Sequence, residues 1–265
     1  MQLNNRQILL TGAAGGIGRA IATQLSAAGA TLSLVGRNLT ALTAVGESLD
    51  TPHYALAADI NSAEGRDMIT AHCEAQAVDI VINCAGVMDF ALFEEQQQNA
   101  IESMINTNLL SPMLLCQQII PLLKRRPEAA IINVGSIFGS IGHPGFTAYC
   151  ASKHGLRGFT EALQRELADT SIRVGYLAPR ATDTEFNSPA VVALNKALGN
   201  SMDSPEQVAT DLVGLLKSQK PRRFMGWPEK LFVKVNGLFP NVVSGALIKS
   251  LPIIKQHSTS NSSRG

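Results

Sequence analysis

The stretch Arg6-Gln7-Ile8-Leu9-Leu10-Thr11-Gly12-Ala13-Ala14-Gly15-Gly16-Ile17-Gly18 decides how the rest of the chain is read. A short apolar run leads straight into a glycine-rich turn and then into a helical pattern from Ala20 to Ala28. Strand, glycine turn and helix start together make a phosphate cradle. Glycine lets the backbone approach a pyrophosphate, and the helix N-terminus offers free N–H groups at the positive end of its dipole. The spacing is Thr-Gly-x-x-x-Gly-x-Gly, with Gly12, Gly16 and Gly18 in the glycine places, rather than the general G-x-G-x-x-G.

Downstream, strand-like runs lie near residues 6–11, 31–36, 53–58, 79–84, 129–136 and 172–178, with a further one near 222–226. Helical patterns lie near 17–28, 39–49, 62–76, 94–126 (with a break from Asn108 to Pro112), 147–169 and 204–218. Strands alternating with helices predict a doubly wound, Rossmann-type parallel sheet covered on both faces, in one α/β domain. A length of 265 residues suits that class and buries a large core. The net charge of +1, with no basic stripe interleaved with aromatics, gives no electrostatic case for nucleic acid. Cys73, Cys84, Cys116 and Cys150 lack C-x-x-C spacing, so no metal is called and buried free thiols in a reducing compartment are expected. Met1 leads into a polar segment with no apolar signal region, and a cytoplasmic protein is expected.

Ser136 follows the run Ala129 to Gly135, at the carboxyl edge of the sheet, where ligands of open α/β sheets bind. Tyr149 comes thirteen residues later and Lys153 four after that, so on a helix the last two share a face. A lone Tyr-x-x-x-Lys is common by chance; the glycine turn upstream gives this one weight. From about Asn5 to Trp227 the chain resembles the compact subgroup of the short-chain dehydrogenase/reductase family. Asp79 to Gly86 resembles its fourth strand and Asn-x-Ala-Gly turn, so Asn83, Ala85 and Gly86 would brace the sheet and line the adenine-ribose side. Asp59 matches the family's acidic residue for the adenine amino group. Asn108, in Asn106-Thr107-Asn108-Leu109, matches the asparagine that bends the next helix and holds a water beside the lysine.

The resemblance implies a hydride-transferring nicotinamide cofactor, cradled by Gly12, Gly16, Ile17 and Gly18. The end of the second strand bears on which one. In Leu34-Val35-Gly36-Arg37-Asn38, Gly36 stands where an NAD-binding relative carries Asp, and the Arg37 guanidinium suits a 2′-phosphate. NADPH/NADP+ is therefore expected over NADH, although Gly15 stands where many NADPH-binding relatives have a second basic residue. Ser136 would hydrogen-bond a substrate carbonyl oxygen, Tyr149 would serve as general acid or base, and Asn108 would link Lys153 to solvent through water. A nearby ammonium of Lys153 is expected to lower the phenol's pKa.

The match weakens after the sixth strand. The family has Pro-Gly and then a threonine that grips the carboxamide; here Pro179, Thr182 and Thr184 fit, but Arg180 replaces the glycine. Its guanidinium reaches an anionic substrate, the pyrophosphate or water. Residues 185–204 form the variable substrate lid within a catalytic unit of residues 1–226. Together with Phe138 and Phe146, the lid's Phe186, Val191, Val192, Leu194 and Leu198 predict an apolar pocket for a small-molecule carbonyl or alcohol substrate. Residues 227–255 are an apolar extension without a run long enough to span a membrane, and three readings stay open: a pocket wall, a subunit contact or a helix lying on a membrane surface. Residues 256–265, rich in serine and asparagine, are expected to be disordered. The whole predicts an NADPH-dependent carbonyl reductase or alcohol dehydrogenase, dimeric or tetrameric by resemblance through the helices near 100–126 and 147–169. The alternative is a catalytically idle NADP(H)-binding regulator or scaffold.

Overall fold

A computed structural model describes residues 1–218 and 220–262. Seven strands form one sheet: β1 (Gln7–Thr11), β2 (Thr31–Gly36), β3 (His53–Ala57), β4 (Ile80–Asn83), β5 (Ala129–Val134), β6 (Ile172–Ala178) and β7 (Arg222–Phe224). Their spatial order is β3-β2-β1-β4-β5-β6-β7, and every pairing is parallel. Strands of such a sheet are buried on both faces, which is why β5, Ala129-Ala130-Ile131-Ile132-Asn133-Val134, is apolar but for Asn133 and buried throughout. The winding reverses between β1 and β4, and this switch point opens a crevice at the carboxyl ends of the strands.

Two apolar layers clamp the sheet. On one face α1 (Gly16–Ala27), α2 (Leu39–Glu47) and α8 (Pro205–Lys217) pack Ile21, Leu25, Leu42, Leu212 and Leu216 against β1, β2 and β4. On the other, α3 (Ala63–Ala75), α5 (Ser111–Leu123) and α6 (Thr147–Glu166) contribute Ile69, Leu115, Ile119 and Leu163.

The predicted break at Asn108–Pro112 is instead a continuous path. Helix α4 (Gln98–Ile105) passes through a five-residue π turn, Asn106–Leu110, directly into α5. Pro112 lacks the N–H that would bond the Asn108 carbonyl four residues back, so the helix widens there instead of ending. The lid also holds a helix that periodicity did not suggest, α7 (Pro189–Ala197), started by Ser188 accepting from the Val191 amide.

The extension beyond Trp227 forms a hairpin of α9 (Glu229–Leu238) and α10 (Pro240–Ser262). Val243, Ile254 and Ser258 on the inner side of α10 are buried, Val243 against Ile137 and Tyr176, and Ile254 against Phe90 and Phe146. The disorder expected from Gln256 is not what the structure has: α10 runs on to Ser262, anchored by Ile254 and Ser258, and 263–265 lie outside the described residues. Composition missed this because the anchor is two buried side chains a helical turn apart.

Candidate active site

The glycine turn is built as the sequence requires. Gly12 has φ +68°, and a Cβ there would lie 2.7 Å from the Ala85 Cα, so only glycine admits the Cys84–Ala85 backbone this close. Gly18 meets the Gly12 carbonyl in the same way, 2.1 Å from a built Cβ. Helix α1 begins at Gly15 with no side-chain cap and no acidic residue in its first turn, a start suited to an anion. A Cβ at Gly16 would lie 2.6 Å from the Thr184 methyl, so the turn and the approach to the lid fit into each other. These features fit a dinucleotide phosphate: a bare helix start in a cradle that side chains would fill.

Thr11 underpins the crevice: its hydroxyl oxygen accepts from the Cys84 and Ala85 amides at 3.1 and 3.2 Å. Arg37, at the end of β2, is exposed, and its guanidinium makes no hydrogen bond or ion pair among the described residues. Asp59 follows β3 and accepts from the Asn61 amide at 3.0 Å. The Asn83 side chain turns inward and braces the sheet. Its amide donates to Asn133 Oδ1 at 2.8 Å, and Asn133 donates to Thr160 at 2.9 Å, a buried polar rung tying β4 to β5 and α6.

Ser136 stands just past β5, half-buried, with Oγ accepting from the Phe138 amide at 3.1 Å, and its side chain favours the ionised form of the Tyr149 phenol. Lys153, one turn along α6 from Tyr149, is buried. Its Nζ donates to the Val134 carbonyl at 3.1 Å and lies 5.7 Å from the Tyr149 ring centre. Asn108 is fully buried in the π turn. It accepts from the Val87 amide and donates to the Val87 carbonyl, both at 2.8 Å, and donates to Ser152 Oγ at 3.0 Å. Gly86 lies over these groups: a Cβ there would sit 3.2 Å from Asn108 Oδ1 and 3.6 Å from Lys153 Nζ.

The phenol is not tuned as expected. Burial raises the Tyr149 pKa, with the Ser136 side chain pulling the other way, and burial lowers Lys153 to about 8. Desolvation outweighs pairing because both groups are enclosed. A phenol held above its ordinary value stays protonated at neutral pH, the state of a proton donor.

Sequence reasoning missed Tyr176. From β6 it inserts its phenol beneath the serine turn, where a Cβ at Gly135 or Gly139 would collide with it. The signal was present in those two glycines flanking Ser136.

Arg180 stands half-buried on the cavity wall, held by two carboxylates. It donates to Asp203 Oδ1 from Nη2 at 2.7 Å and from Nε at 3.0 Å, and from Nη1 to Glu229 at 3.2 Å. It thereby pins the end of the lid to the start of α9. Thr182 is buried, with its hydroxyl donating to the Arg180 carbonyl at 3.1 Å.

A cavity of about 440 Å³ opens beside Ser136 and Tyr149, between Pro179 and the lid. Phe138, Phe146 and Phe186 line it from the catalytic side, and Phe232, Val243 and Leu247 of the hairpin close it. The extension is therefore a wall of this cavity.

Residues 6–193 match the short chain dehydrogenase family. The chain belongs to that family. It is an oxidoreductase of this class by membership. The 3-oxoacyl-(acyl-carrier-protein) reductase FabG of Vibrio harveyi is 30% identical over 222 residues, covering 81% of this chain and 91% of that one. A short-chain dehydrogenase from Streptomyces avermitilis superposes with a TM-score of 0.79 at 25% identity, over 94% of this chain and 98% of its own. A putative NAD(P)-dependent gluconate 5-dehydrogenase from Beutenbergia cavernae, with bound NADP at low occupancy, gives a TM-score of 0.72 at 26% identity, over 81% and 90%.

Proposed function

We propose that this short-chain dehydrogenase is an NADPH-dependent reductase of an apolar ketone or aldehyde, or the dehydrogenase of the matching alcohol. One observation carries the reading: Ser136 and Tyr149 stand together on the wall of an apolar cavity, with Lys153 buried 5.7 Å behind the Tyr149 ring centre.

The bound dinucleotide would supply hydride to the carbonyl carbon. Gly12, Gly16, Ile17 and Gly18 would hold its phosphates, Asp59 its adenine, Ala85 and Gly86 its inner ribose, and Pro179, Thr182 and Thr184 its carboxamide side. Arg37, exposed and uncommitted, would take the 2′-phosphate that distinguishes NADPH. Ser136 would donate to the carbonyl oxygen, and Tyr149 would pass it the proton as negative charge develops. Lys153 would hold the nicotinamide ribose and keep a positive charge beneath the phenol, with Asn108 fixing the floor. Burial of Tyr149, which favours its protonated form, supports the reductive direction. The aromatic lining supports an acyl-chain, steroid-like or polyketide-like carbonyl.

A homodimer or homotetramer through α5 and α6 fits the reading, since Leu110 and Met113 stand exposed beside them. No helix of the described residues is long and apolar enough to cross a membrane.

The test is NADPH oxidation against a panel of apolar ketones and aldehydes, with Tyr149→Phe beside the native chain. Turnover that falls by roughly 10³-fold in the variant while NADPH still binds supports the assignment. Undiminished turnover in Tyr149→Phe refutes it. Cofactor binding with no turnover on any carbonyl would favour the idle regulator.

A further inference from the structure

The hairpin α9–α10 presents far more apolar surface than a cavity wall needs. Leu238 is 74% exposed, Val242 and Ile248 65%, Trp227 64% and Phe239 63%, and Leu231 and Ile253 are exposed beside them. The inner stripe of α10, Val243 and Ile254, already satisfies the packing, so the outer residues contribute nothing to the core. Single exposed apolar side chains are ordinary; seven along one hairpin and its entrance are a patch.

Charge identifies what covers it. After Glu229 the chain has five Lys and Arg and no Asp or Glu, whereas the first 229 residues have 17 and 21. Lys230, Lys234 and Lys249 are exposed among the apolar residues, and Lys230 lies 5.7 Å from the Trp227 ring centre. A patch meant for a second copy of this chain would set three exposed lysines against three. Apolar side chains interleaved with lysines, with an aromatic at one end, match the interface of an anionic bilayer.

We propose that the outer face of the α9–α10 hairpin docks on anionic membrane surfaces, with Leu238, Phe239 and Val242 entering the headgroup boundary and the lysines meeting lipid phosphates. Phe232, Val243 and Leu247 of the same hairpin wall the cavity, so docking sets the substrate cavity against the lipid. Docking goes beyond the proposed reaction, and its test reads no turnover, so either can fail alone.

The test is flotation of the full chain with phosphatidylcholine vesicles, with and without phosphatidylglycerol, at low and high salt. Trp227, the sole tryptophan, serves as the reporter. The expected result is flotation with the anionic vesicles at low salt and a blue shift of the emission. Leu238→Ser with Phe239→Ser should weaken partitioning by at least about tenfold, and Lys234→Glu with Lys249→Glu by at least about tenfold. All four residues are exposed, so an unchanged melting curve shows the variants fold. The proposal is overturned if the native chain stays with the buffer at low salt, or if the serine variant floats undiminished. It is also overturned if the serine variant only converts an oligomer to monomer, which would assign the face to a second copy.

Discussion

The phenol oxygen of Tyr176 lies 3.3 Å from both the amide nitrogen and the carbonyl oxygen of Ser136, accepting from one and donating to the other. The serine that faces the cavity thus has its main chain gripped by a tyrosine from the neighbouring strand. Burial pushes that phenol up to about 12, so it stays protonated and can serve both bonds at once.

Tyr176→Phe should therefore cost about 1–2 kcal/mol of stability, the worth of two neutral hydrogen bonds less repacking. Turnover should fall by about tenfold or more, with KM for the cofactor little changed, because the serine turn loses its support while the glycine cradle is untouched. Denaturant melts and steady-state kinetics check both; a kcat equal to the native value would rule out a positioning role.

The pH profile of reduction should turn down on the alkaline side near pH 8. Lys153 gives up its proton at about 8 in the folded chain, against an ordinary 10.5, whereas the raised pKa of Tyr149 keeps the phenol protonated through that range. The alkaline limb of kcat/KM thus reports the lysine. Between those two values the unfolded chain binds more protons than the folded one, so this group's contribution makes stability rise with pH across that window. A limb centred near 10.5 would contradict the assignment.

Removing Arg180 leaves Asp203 and Glu229 facing each other without their cation. Arg180→Ala should cost roughly 2–3 kcal/mol and release the lid from α9, raising KM for apolar substrates more than it lowers kcat. Arg180→Ala paired with Asp203→Asn should recover part of the loss. Thermal melts of the single and double variants decide; additive losses would mean that the pair is not coupled.

Exchanging Arg37 for Glu should weaken NADPH binding by at least about tenfold and leave NADH binding within a few-fold, as measured by titration of cofactor fluorescence. The guanidinium has no hydrogen-bond or ion-pair partner among the described residues to lose, so the change tests its contact with phosphate. Equal weakening of both cofactors would point to a disturbed β2 end.

Much of this was legible beforehand because it is local. The glycine turn, the alternation of strands and helices, and the four-residue step from Tyr149 to Lys153 are fixed by neighbours in the chain. The rest depends on contacts between residues far apart. Arg180 finds carboxylates 23 and 49 residues downstream, and Tyr176 finds Ser136 40 residues upstream. Asn83 turns inward because Asn133 waits on the next strand. The π turn at Asn108 could be anticipated only as a disturbance, since proline says that a bond is missing and not how the chain absorbs it. The tuning of Tyr149 was misjudged because spacing reveals a neighbouring charge but not the depth at which both groups are buried.

The interlock between the Thr184 methyl and Gly16 has a practical side for anyone recombining such enzymes. Residues 185–204 are not a free cassette: their entrance occupies the very space that a bulkier residue in the nucleotide turn would claim. Chimeras that import a foreign segment here should carry both halves of the joint, or the donor's turn and the recipient's threonine will compete for one methyl's worth of room.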